Sequence, residues 1–218
     1  MKKQLFKAGF AACLLVAGCS SGESVSGSGV ASSGIQDVAA LTGHHEGHEY
    51  VDLGLSVMWA TCNVGASSPA EAGVHFAWGE RYEKERYDYF NYSLRNYYPW
   101  STRSLGTYDG DWRLPTPAEI RELIHNCTIE KTELDGIAGY CFTSKKNGGA
   151  IFFPTDSGRH EDLPVGAYDI VYWSSLSAPF GDDAPTAYAL SFEGEKVMVD
   201  SRWPRHAGLL LRNVLRLK

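Results

Sequence analysis

The side chains able to do chemistry in this 218-residue chain fall into a few small groups. His44, His45 and His48 stand with Glu46 and Glu49, residue types that suit a divalent metal. Their spacing is not that of His-Glu-x-x-His, and no helical apolar face accompanies them. The tract therefore reads as a polar segment, and no residue is assigned to a metal. Asp109-Gly110-Asp111 and Asp182-Asp183 offer carboxylates that suit calcium, but neither matches an EF-hand loop, and both read as solvated turns. Glu119 and Glu122 are better explained as a helix cap and a solvated face than as an acid–base pair. No Gly-x-Ser-x-Gly, Walker loop or dinucleotide fingerprint occurs, and no convergent titratable set is visible. No catalytic residue and no cofactor is assigned, and the chain is read as a non-enzyme.

Two aromatic stretches suit binding instead. Residues 76–100 hold ten of the 27 Phe, Trp and Tyr residues, interleaved with Glu83, Lys84, Glu85, Arg86 and Asp88. Their alternation is poor, so the stretch reads as a long loop excursion. Its rings either pin the loop to the core or offer flat faces to a ligand. Ser201-Arg202-Trp203-Pro204-Arg205-His206 combines basic and aromatic side chains, types enriched in binding hot spots.

The N-terminus carries an address. Lys2, Lys3 and Lys7 precede an apolar run over residues 8–17, too short to span a bilayer. The run ends Leu15-Val16-Ala17-Gly18-Cys19, which resembles a bacterial lipobox. On that reading residues 1–18 are a signal peptide and Cys19 carries the lipid. Eleven of the fifteen residues from 20 to 34 are Ser or Gly, so residues 19–48 are expected to form a flexible membrane tether. Ser20 rather than Asp favours the outer membrane, with the periplasmic or surface face left open. The full chain has a net charge of −6, and without the three leader lysines the balance is 17 basic to 26 acidic residues. Such a chain lacks the basic face that a nucleic-acid partner needs.

The elements that must position these groups are read from 49 to 218. Apolar residues alternate over 50–57, as in a half-buried strand. Ser68-Pro69-Ala70-Glu71 has the cap, proline and glutamate of a helix start, with Gly73 limiting it to one turn. Thr116-Pro117-Ala118-Glu119 repeats that grammar. Ile120, Leu123, Ile124 and Cys127 follow on one face, predicting the main helix. Strands are expected at 139–144, 150–154, 171–174, 186–192, 196–200 and 208–214, which gives an α+β class.

Specific strings then matter: Tyr50-Val51-Asp52-Leu53-Gly54-Leu55-Ser56-Val57-Met58-Trp59-Ala60-Thr61-Cys62-Asn63-Val64-Gly65-Ala66, Phe76-Ala77-Trp78-Gly79-Glu80 (whose Phe76 and Trp78 lean to the core), Trp112-Arg113-Leu114-Pro115-Thr116, Leu123-Ile124-His125-Asn126-Cys127-Thr128, Tyr172-Trp173-Ser174-Ser175 and Gly208-Leu209-Leu210-Leu211-Arg212-Asn213-Val214. Together they resemble the Fibrobacter succinogenes major paralogous domain family, found in secreted and lipoprotein chains of Bacteroidetes. The resemblance implies a C-type lectin-like domain over 49–218, with one main and one short helix among short antiparallel strands. It implies a ligand face in the last third, where Phe180, Asp182, Asp183, Tyr188, Arg202, Trp203, Arg205 and His206 are the candidate contacts. Because Cys62 and Cys127 sit in motifs that occur together in that family, it implies a Cys62–Cys127 disulfide, with Cys127–Cys141 as the alternative. The expected function is a non-catalytic binding module for a glycan or surface protein. The resemblance leaves open a retroelement-diversified receptor. The alternatives are a pilus-tip or envelope assembly subunit and, third, a relative of formylglycine-generating enzymes.

Overall fold

The computed structural model describes residues 41–95, 107–156, 169–178, 185–194 and 196–216. The signal peptide, Cys19 and most of the expected tether lie outside the described residues, as do Phe180, Asp182 and Asp183.

Among the described residues, twelve strands and one helix follow in order: β1 (Thr42–His45), β2 (His48–Val51), β3 (Met58–Ala60), β4 (Thr107–Asp109), β5 (Trp112–Arg113), α1 (Pro117–Asn126), β6 (Cys127–Leu134), β7 (Ile137–Ser144), β8 (Ala150–Pro154), β9 (Ile170–Ser177), β10 (Thr186–Glu193), β11 (Lys196–Pro204) and β12 (Val214–Leu215). They form three sheets whose ladders are antiparallel, in the orders β1-β2-β3-β12-β5-β4, β11-β10-β9 and β6-β7-β8. The fold is mostly β, and this corrects the expected α+β, C-type lectin-like arrangement.

The expected short helix does not form. Ser68-Pro69-Ala70-Glu71 makes a single turn closed by Glu71 N–H on Ser68 O at 3.2 Å. The Glu71 carboxylate accepts from Ser67 instead, and Asn63 Nδ2 takes Ala72 O at 2.9 Å, so the carbonyl a second helical turn would use is already engaged. Gly73 then adopts φ +77, and a side chain there would collide with Val64 O.

The folded unit also begins before Glu49. Strands β1 and β2 pair from Thr42–Val51 to His45–His48 across the two-residue turn Glu46-Gly47, with φ of 48 and 81. Positive φ at both positions is the type I′ geometry that matches the twist of a tight hairpin. The histidine tract is therefore a hairpin, so strand structure is already present over residues 42–48, within the stretch expected as tether. The strand expected at 50–57 is interrupted. Val51, Leu53 and Val57 are buried as the alternation predicts, but Gly54, at φ +65, turns the chain between β2 and β3.

Helix α1 forms as read. Thr116 Oγ1 accepts from Glu119 N–H at 3.2 Å, and Glu119 Oε2 accepts from Thr116 N–H at 2.8 Å, completing a capping box. Ile120 and Leu123 enter the main core with Trp59, Phe142, Phe153, Tyr172 and Phe192. Each such side chain contributes roughly 1.5–3 kcal/mol by leaving water. Cys127 enters the same core, as the C-cap of α1 and the first residue of β6.

The C-terminal segment threads the centre. Leu209 and Phe76 exchange backbone hydrogen bonds at 3.0 Å, Leu210 O accepts from Trp173 N–H, Leu211 O from Val64 N–H and Asn213 O from Ala60 N–H. Arg212, 1 % exposed, donates to Asn63 Oδ1, Ala60 O, Thr61 O and Phe152 O at 2.6–3.0 Å and lies 4.7 Å over the Phe153 ring. Burial lowers its pKa, and Tyr172 and Cys62 offset part of that. Tyr172, buried beside it and accepting from Asn63 Nδ2, is pushed up to about 12 by desolvation.

Cys62 and Cys127 are both free thiols, so neither the Cys62–Cys127 bridge nor the Cys127–Cys141 alternative forms. Desolvation raises both thiol pKa values, Cys127 to about 11. Both are protonated, weak nucleophiles at neutral pH.

Candidate binding surface

The structure redistributes the predicted ligand contacts. Trp203 is 1 % exposed and packs with Phe76, Trp78, Trp173 and Leu209. The reason is register: Trp203 lies opposite Ala187 in the β10–β11 ladder, and Ala187 and Ala189 line the same cluster, leaving volume for the indole. Arg205 is buried too. Its Nε donates to Thr186 O at 3.0 Å, and its guanidinium stacks 5.0 Å from the centre of the Trp78 ring. Desolvation lowers its pKa, which Tyr92 offsets in part. His206 is buried beneath Tyr89, edge to face at 6.1 Å. Tyr188 is half-buried on β10. Arg202 is exposed and pairs with Asp200 at 3.2 Å and Glu193 at 3.8 Å. Of the expected C-terminal face, Arg202 and in part Tyr188 reach solvent, Phe180, Asp182 and Asp183 lie outside the described residues, and Trp203, Arg205 and His206 are thus buried as foundation.

What they support is the aromatic excursion. Trp78 N–H donates to Arg205 O at 2.8 Å and its indole N–H to Ser174 O at 3.0 Å, anchoring the loop's start. Tyr87 donates to His75 O at 2.6 Å and Tyr92 to Trp78 O at 2.8 Å, so these two buried rings staple the loop to its own base. Burial raises the Tyr92 pKa, keeping it a neutral donor. Gly208 is required beneath, because a Cβ there would lie 2.7 Å from the Tyr87 ring.

Polar groups then fix the loop's shape. The buried Glu80 carboxylate accepts from Ser93 N–H at 2.7 Å and Ser93 Oγ–H at 2.6 Å, and pairs with Lys84 at 2.5 Å. Lys84 also donates to Asn91 O at 2.8 Å and sits 5.5 Å from the Tyr82 ring and 5.8 Å from the Tyr92 ring. At the tip, Asp88 Oδ1 accepts from Phe90 and Asn91 N–H, donations that hold its carboxyl below the ordinary range. Arg95 donates to Phe90 O.

Among the described residues three rings of the excursion remain outside, Tyr82 at 51 %, Tyr89 at 42 % and Phe90 at 82 % exposure, while Tyr97, Tyr98 and Trp100 lie outside the described residues. Tyr89 and Phe90 touch edge to face at 5.9 Å. Single exposed aromatics are ordinary, but Tyr89 and Phe90 form an adjoining pair on a braced loop, with Tyr82 exposed near its entrance, so little ordering cost is left to a ligand. The sequence marks the excursion as aromatic but not the split between pins and exposed rings. The Glu80–Lys84 pair, i and i+4 around the loop's entrance, was the available signal for the clamp.

Two other places were weighed by chemistry. The cleft at the α1 N-terminus is lined by Ser56, Arg113, Thr116, Glu119, Glu122 and Arg216. Its two carboxylates are already engaged: Arg113 grips Glu119 with two bonds at 2.6 and 2.8 Å, and Glu122 accepts from Ser56. The second place is buried. His75 Nε2 meets Asp156 Oδ1 at 2.9 Å, with Nδ1 lacking a partner among the described residues. No activated nucleophile accompanies that pair among the described residues. Comparison with protein-family models, curated proteins and solved structures finds no match to this chain.

Proposed function

We propose that this chain is a non-catalytic binding module of the cell envelope, anchored through a lipid on Cys19, that recognises a glycan by stacking it on Tyr82, Tyr89 and Phe90. The observation that carries the reading is the braced loop. Its buried rings and the Glu80–Lys84 clamp fix the backbone, and Phe90 stands 82 % exposed at the tip. Flat aromatic faces pack against the apolar face of a sugar ring at low entropy cost. Exposed Arg81, Glu83 and Arg86 beside them supply polar partners for hydroxyls. The acidic balance of the chain disfavours nucleic acid as the ligand.

The test is an array carrying both glycans and envelope proteins, probed with wild type and with Tyr89→Ala/Phe90→Ala. Retention of a glycan that falls at least tenfold in the double variant, about 1.4 kcal/mol, supports the reading. Melting should stay near wild type, because both rings are solvent-facing. Glycan retention unchanged in the double variant removes this surface from consideration. Retention of envelope protein alone moves the ligand class to protein. The anchor is checked separately with a fatty-acid probe: label should be lost in Cys19→Ala, and undiminished label overturns the anchoring.

A further inference from the structure

The first sheet curls so that turns from its two edges meet. Strands β1 and β4 are its edge strands, yet the Glu46-Gly47 turn reaches the Asp109-Gly110-Asp111 turn. Asp111 N–H donates to Glu46 Oε2 at 2.9 Å, and the Trp112 indole N–H donates to His45 O at 3.2 Å. The two segments that the sequence offers separately as candidate metal ligands are brought together here.

We propose that His45, Glu46 and Asp111 form a site for a divalent cation of the zinc type. His45 Nε2 lies 3.2 Å from Asp111 Oδ2 and 3.7 Å from Glu46 Oε2, and one ligand atom from each of the three falls within 4.8 Å of the others. Zinc binds nitrogen and carboxylate oxygen at about 2.0–2.2 Å, so tetrahedral ligands stand about 3.3–3.6 Å apart. The observed separations bracket that value and need only side-chain rotation. One neutral imidazole and two carboxylates supply two negative charges to a dication. The set has too few oxygens for calcium and no thiolate for a soft monovalent metal.

The backbone is shaped for this arrangement. Glu46 holds φ +48, a left-handed conformation that Asn, Asp or Gly normally takes in such a turn. A side chain at Gly110 would collide with the Glu46 carboxylate, so Gly110 leaves the space it occupies. His48, paired with His45 in the hairpin register, packs edge to face on Trp112 at 5.8 Å and lies 3.9 Å from Asp109. It stands on the same face and can complete the coordination by rotating. His44 alternates to the other face. A bound cation would rivet the two edges of the sheet together.

The test is calorimetric titration of the untagged full chain with zinc chloride, alongside melting with zinc and with EDTA. The expected result is saturable 1:1 binding and a melting temperature that rises with zinc. His45→Ala and Asp111→Asn should each weaken binding at least tenfold while melting in EDTA stays within a few degrees of wild type. His44→Ala should bind as wild type. Absence of saturable binding below millimolar zinc overturns the site, as does full binding by His45→Ala, equal loss in His44→Ala, or tighter binding of calcium chloride than of zinc. Because the aromatic loop is built from other residues, none of these outcomes depends on glycan retention.

Discussion

Trp203 shows how residue type and residue position can point in opposite directions. An indole flanked by Arg202 and Arg205 has the composition of a binding hot spot. Its neighbours across the ladder decide otherwise, since Ala187 and Ala189 are too small to fill the space between β10 and Trp173 without it. Arg205 follows the same logic, its cation lying over the Trp78 ring rather than in water. We expect Trp203→Ala to cost about 3–5 kcal/mol, the range for emptying a large aromatic from a core. Denaturant unfolding measures this, and a loss below about 1 kcal/mol would place the ring at the surface. Burial of these residues was not legible in the sequence, because it depends on a strand register that only the assembled sheet defines. Phe76 and Trp78 did read as core, because they sit inside one of the strings that carry the family resemblance.

Helix α1 is the element that local sequence describes best. Its cap, proline and apolar face are all contained within eleven residues, so no distant contact is needed to recognise it. Arg113 adds what the local pattern omits, a two-bond grip on the capping Glu119. Burial alone would raise the Glu119 pKa, but the Arg113 and Thr116 donors outweigh it and hold the carboxyl below its ordinary 4.5. A depressed carboxyl stabilises the fold fully above its unfolded pKa and loses that contribution as pH falls through the lower, folded value. Glu119→Gln should therefore be less stable than wild type by roughly 1–3 kcal/mol at pH 7, the scale of hydrogen bonds to a charged group. The gap should hold down to about pH 4.5 and close below it. Parallel melting curves from pH 7 to pH 3 measure this, and a gap that persists undiminished at pH 3 contradicts the ionic origin. The β6–β7 hairpin was equally local, since Asp135-Gly136 takes φ of 52 and 79 in a two-residue turn. Its first strand, charged at Glu130, Lys131 and Glu133, hid the signal by lacking an apolar run. The putting-together of Ser68 to Glu71 fails in the opposite way: good cap grammar cannot make a helix where Gly73 turns the chain after one turn.

At the scale of the whole molecule, the expected disulfide had one physical task, to tie the first strand region to the main helix. The structure holds the first strand region instead to β5, β9 and residue 152, through hydrogen bonds of the C-terminal segment. Strand β12 inserts between β3 and β5, Leu210 joins β9, and Arg212 collects carbonyls from residues 60, 61 and 152. These contacts connect positions from 37 residues apart (Leu210 and Trp173) to 157 apart (Leu215 and Met58), so the strings read as motifs in the sequence while the pairing between them does not. Each acceptor that loses a donor inside such a core costs about 1–3 kcal/mol, and native domains have only about 5–15 kcal/mol in all. A chain ending at Gly208 gives up the Phe76–Leu209 pair, the β3–β12–β5 ladder and all four Arg212 donations at once. It should show no cooperative melting transition and no near-ultraviolet circular dichroism, while α1 and the local β6–β7 hairpin leave residual far-ultraviolet signal. A cooperative transition within a few degrees of wild type would mean that the three sheets hold together without the segment threaded between them.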